Sequence, residues 1–104
     1  MTGANPARGE ATLQVGGEAL VLRPSFEALV AAEGELGSLF ALVERAADGR
    51  LMLSELATLF WHCVGERPEG LSRERVGAAV AELGLARTAP VMKLLLTQIL
   101  QGRV

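Results

Sequence analysis

The chain has 104 residues, half of them apolar, and a formal net charge of −2. That is the length of one domain with enough apolar material for a core, which argues against two domains and against long disorder. The weak charge offers no basic face for nucleic acid, no apolar run reaches the ~18 residues of a membrane span, and a single cysteine, Cys63, leaves no internal disulfide.

Residues 1–9 are small and polar, with Pro6 and Gly9, and read as a loose arm without the apolar stretch of a signal peptide. Two β-type runs then flank Gly16-Gly17, the pattern of a two-residue hairpin with strands over 10–15 and 18–23. Such a turn sets Val15 opposite Glu18, Leu13 opposite Leu20, Ala11 opposite Leu22 and Glu10 opposite Arg23. One face then carries Ala11, Leu13, Val15, Leu20 and Leu22, and must lie on helices or on another chain, because a lone hairpin is marginal in water.

From residue 25 onward the period is helical. Ser25, Ser38, Ser54, Ser72 and Thr88 each precede an apolar stretch, as N-caps do. The helices expected are 26–35, 39–47, 55–64, 73–83 and 89–101. Their apolar stripes begin with Phe26, Leu29 and Val30, continue with Leu39, Leu42, Val43 and Ala46, then Leu53, Leu56, Ala57, Phe60, Cys63 and Val64. Val76, Ala79, Val80 and Leu83 mark the fourth, and Val91, Leu94, Leu95 and Ile99 the fifth, with Pro90 in its first turn. The expected architecture is a single α+β domain, an N-terminal β-hairpin packed on five short helices.

The stretch from Glu44 to Leu56, "ERAADGRLMLSEL", resembles a calcium loop, with Asp48, Gly49 and Glu55 at loop positions five, six and twelve. Position one is Glu44 rather than Asp, and position three is Ala46, which offers no oxygen. The same letters fit a helix end at Asp48-Gly49, with Gly49 at positive φ, a connection pinned by Leu51 and Leu53, and a new helix at Ser54-Glu55. No metal is expected. His62 and Cys63 are adjacent on a helix and point about 100° apart, so they do not make a catalytic dyad. His62 shares a solvated face with Glu55, Thr58 and Glu66, and Cys63 shares the core face. Capping accounts for the serines, and no phosphate loop is present, so neither catalysis nor a cofactor is expected. A helix-turn-helix reader would need a shorter turn than the loop at 65–70 and a more basic second helix.

The last helix is apolar over more than one stripe. Either it is the central helix of the domain or part of it meets a protein partner. The candidate partner surface is Val91, Met92, Leu95, Leu96, Ile99 and Leu100, joined by Trp61 and Met52, which lie off the main stripe of the third helix.

Three stretches together carry a family likeness: "NPARGEATLQVGGEALVLRPSFEAL", "AAEGELGSLFALVERAADGRLMLSELATLFW" and "LSRERVGAAVAELGL", followed by the apolar terminal helix. In this order and at this length they resemble the small tail proteins of gene transfer agents and related prophages. These are grouped with phage tail assembly chaperones and are also labelled tail tube proteins. The resemblance implies a non-catalytic role in the cytoplasm during tail morphogenesis, holding the apolar tape-measure protein in solution and bringing in tail tube subunits, with homo-oligomers as a further expectation. It offers no catalytic residues to carry over, and composition and motifs lead one to expect no cofactor, nucleic acid or membrane. The alternatives are a structural tail tube subunit retained in the particle and a small helix-turn-helix regulator.

Overall fold

The computed structural model describes residues 11–65 and 67–101, without the side chains of Leu85, Leu100 and Gln101. The expected arm, the Glu10–Arg23 pairing and the Glu66 position lie outside the described residues. Strands β1 (Ala11–Val15) and β2 (Glu18–Leu22) form an antiparallel hairpin. Helices α1 (Phe26–Leu36), α2 (Leu39–Ala47), α3 (Leu53–Cys63), α4 (Arg73–Leu83) and α5 (Leu85–Gln101) follow. This is the expected α+β fold.

The hairpin has the expected register, Val15 to Glu18, Leu13 to Leu20 and Ala11 to Leu22. Gly16 and Gly17 both have positive φ, +56° and +83°, the backbone a type I′ turn requires. Ala11, Leu13, Val15, Leu20 and Leu22 are all buried. Two attachments hold the sheet to the helices. Leu22 forms an antiparallel bridge to Val64, and the Arg23 N–H donates to the Cys63 carbonyl at 2.7 Å, so β2 runs onto the end of α3. β1 lies against α4 and α5.

Ser25, Ser38 and Ser72 are N-caps, each hydroxyl oxygen accepting from the backbone N–H three residues on at 3.2 Å. Ser54 is not. α3 begins at Leu53 with Met52 as N-cap, because the Glu55 carboxylate reaches back to the Met52 N–H at 2.9 Å and satisfies that donor. α5 also begins early, at Leu85. Thr88 lies inside it, fully buried, with its hydroxyl donating to the Gly84 carbonyl at 3.1 Å. Pro90 is interior rather than in the first turn. The carbonyl that Pro90 cannot bond belongs to Ala86, an exposed residue, where water can satisfy it.

The first helix corrects another expectation. α1 turns Ala28 and Ala32 inward, while Phe26 is 82 % and Val30 49 % exposed. α1 lies against α3, and small side chains let two backbones approach where Phe and Val would hold them apart. Leu53 is also exposed rather than pinned, whereas Leu51 does lie against the core. The core gathers the inner hairpin face, Leu39 and Leu42 of α2, Leu56, Leu59, Phe60 and Cys63 of α3, Val76 and Val80 of α4, and Leu95 of α5.

Candidate docking groove

The junction between α2 and α3 builds one wall of an open apolar groove. Asp48 caps α2, and Gly49 turns the chain at φ +70°, as the sequence leads one to expect. The chain then runs through Leu51 and Met52 into α3. Arg45 on α2 holds Glu55 on α3 through two contacts, Nη1 to Oε1 at 2.8 Å and Nη2 to Oε2 at 2.6 Å. With the Met52 N–H, these donors keep the Glu55 carboxyl below its ordinary range, Arg45 contributing most. Asp48 accepts from Arg50 at 2.9 Å. Asp48 and Glu55, at positions five and twelve of the calcium-like loop, are thus engaged by Arg50 and Arg45, and the Arg45–Glu55 pair ties α2 to α3. Among the described residues no group of three or more His, Cys, Asp or Glu is placed to hold a metal ion.

The opposite wall comes from α4 and α5. A cavity of about 460 Å³ lies between Ala46, Gly49, Leu51, Met52, Leu53 and Leu56 on one side and Val80, Ala81, Gly84, Thr88, Ala89 and Met92 on the other. It continues into a second stretch of about 370 Å³ between Val43, Ala46 and Ala47 of α2 and Met92, Lys93, Leu96 and Thr97 of α5. Ala46 and Met92 line both stretches. The lining is apolar with few polar groups, the composition of a site that holds an apolar ligand or side chain.

The candidate partner residues separate in space. Met52, Met92 and Leu96 line the groove, and Met52 is 63 % exposed. Leu95 has no exposed surface and anchors α5 to the core. Val91 and Ile99 are half-buried against that core and do not line the groove. The Leu100 side chain lies outside the described residues. Trp61 sits elsewhere, with the guanidinium groups of Arg67 and Arg73 at 4.2 and 5.8 Å from its ring centroid. The groove residues that the sequence did not offer as partner surface include small ones, Ala81, Gly84 and Ala89, whose convergence with their neighbours makes a wall.

A separate polar cluster clamps three helices. Glu35 of α1 accepts from Arg73 of α4 at 2.5 and 2.6 Å and contacts His62 of α3. Hydrogen bonding from Arg73 first, and from His62 second, holds the Glu35 carboxyl down at about 2. The His62 side chain is only 11 % exposed and faces this carboxylate rather than open solvent. Cys63, next to it, is buried in the core, and desolvation pushes its thiol up to about 12. The two residues face different environments, as their helical spacing requires.

The described residues form an α+β fold with an open apolar surface, and no helix among them is long and apolar enough to cross a membrane. The chain belongs to the phage tail tube protein, GTA-gp10, family, whose family model matches residues 8–102. It is therefore a phage tail-related protein. No curated protein and no solved structure matches the chain.

Proposed function

We propose that this protein is a non-catalytic tail assembly chaperone of a gene transfer agent or prophage, acting in the cytoplasm on tail proteins such as the tape measure and the tail tube. The observation that carries this reading is the groove between the α2–α3 junction and α4–α5. An apolar groove of this kind accepts the apolar face of an amphipathic helix. Methionines 52 and 92 suit reversible binding of varied sequences, because the unbranched thioether chain adapts its shape. A tape-measure protein is long and apolar, the kind of chain that needs such cover until the tail is built.

The test is co-purification of the tape-measure protein with Met52→Glu and Leu96→Glu variants, each first shown to fold by circular dichroism. Covering a leucine contributes about 1.5–3 kcal/mol, so a charge at either position lowers affinity at least about tenfold. If both variants fold and hold the partner fully, the binding surface is elsewhere. The family description favours a second reading, a structural subunit of the tail tube. Retention of this chain in purified particles at a fixed ratio to other tail proteins supports that reading; its absence from them supports the chaperone.

A further inference from the structure

The apolar groove carries one charge that nothing on the chain answers. Among the described residues Lys93 is the only charged side chain lining either stretch, and it is exposed. It has no ion-pair partner among them. The carboxylates of the α2–α3 junction are already engaged, Asp48 by Arg50 and Glu55 by Arg45. Glu44, exposed on α2, lines neither stretch. α5 itself bears Arg87 and Lys93 and no acid. Its share of the groove wall runs from Thr88 to Thr97, about 14 Å at 1.5 Å per residue. Met92 lines both stretches but Lys93 only the second, so the charge lies off the centre of the groove.

We propose that the segment this groove receives is an acidic amphipathic helix of a tail protein, with large apolar side chains in both stretches and a carboxylate against Lys93. An apolar stripe at i, i+3 or i+4, and i+7 matches the length of the α5 wall. Apolar burial supplies most of the affinity. The carboxylate supplies selection, because a helix with lysine or arginine in its place sets like charges together. Since Lys93 lines only the second stretch, the acid belongs toward one end of the stripe, and the helix lies in the groove in one direction. The inference rests on the groove being the partner site of the proposed function, and adds the charge and the direction of what binds there.

Overlapping peptides of the tape-measure protein, titrated with the full chain at low salt and followed by fluorescence anisotropy, test it. The peptides that bind carry Asp or Glu beside an apolar helical stripe. Replacing that acid by lysine weakens binding to the wild type about fivefold. Lys93→Glu, at an exposed and unpaired position, keeps the wild-type circular dichroism spectrum. It weakens the native peptide to the same extent and restores binding of the lysine-bearing one. Both differences shrink at about 1 M salt, where screening acts within about 3 Å. A Lys93→Glu variant that binds the native peptides as the wild type does overturns the proposal. So does a set of binding peptides with no acid beside the stripe, or a tape-measure protein none of whose peptides binds. If Met52→Glu and Leu96→Glu lose the peptides and Lys93→Glu does not, this inference fails alone and the proposed function stands; if all three hold them fully, both fail.

Discussion

Leu95→Ala asks whether α5 is docked to the core or merely lies on it. Leu95 is fully buried in the cluster shared by the hairpin and the other helices, while Met92 and Leu96 beside it keep accessible surface. Removing a fully enclosed leucine costs its transfer free energy and leaves a cavity, together about 3–4 kcal/mol. A domain of this size has roughly 5–15 kcal/mol in all. At about 4–8 °C per kcal/mol, Tm falls by about 12–30 °C. Urea unfolding followed by circular dichroism measures the loss, and an unchanged slope shows that the folded and unfolded states themselves are unaltered. A loss under about 1 kcal/mol at constant slope refutes the enclosure of Leu95. It would also remove the ground for treating α5 as a fixed wall of the groove. Leu96→Ala is the control: at a half-buried groove position it costs less than half as much and lowers Tm by less than half as far.

Three further outcomes follow from the described contacts. Glu35 is held at about 2 in the fold against an ordinary 4.5, so the unfolded chain binds its proton more tightly than the folded one. The stability it contributes is complete above about 4.5 and is lost as the pH falls toward 2. The Tm of Glu35→Gln therefore lies below that of the wild type at neutral pH and converges on it in acid; parallel curves down to pH of about 2 would show that the clamp does not form. The Cys63 thiol, buried and pushed up to about 12, stays unreactive toward a thiol reagent at neutral pH until the protein is denatured, and rapid native-state labelling would contradict its burial. Gly49→Ala meets nothing within 4 Å, so its cost is the positive φ of +70° alone, about 1 kcal/mol, read as a small fall in Tm. No measurable change would mean that the junction relaxes to another backbone path.

Local chemistry made much of this fold legible. The Gly16-Gly17 turn and the alternation around it set the hairpin register, because turn geometry and side-chain period act within a few residues. Ser25, Ser38 and Ser72 marked helix starts for the same reason, and Gly49 marked a helix end. Ser54 and Thr88 misled because a second local device outcompeted each: Glu55 capped the Met52 N–H first, and α5 began directly after Gly84, leaving Thr88 to bond back to a carbonyl inside the helix. The candidate site was half legible. Met52, Met92 and Leu96 carried a signal as apolar residues off the main stripes, whereas Val91, Leu95 and Ile99, offered for the same surface, lie on the main stripe of α5 and pack on the core.

What the sequence determined by itself is therefore the set of elements, their approximate limits and the buried face of the hairpin, all governed by contacts between near neighbours. Tertiary structure alone decided which side of each helix meets the others. α1 buried its alanines and left Phe26 outside, since the distance of α3 from it selects for size and not for hydrophobicity. The groove likewise exists only once four helices and a connection converge. A helix can be apolar on more than one side, and its neighbours, distant in the chain, choose which side they cover.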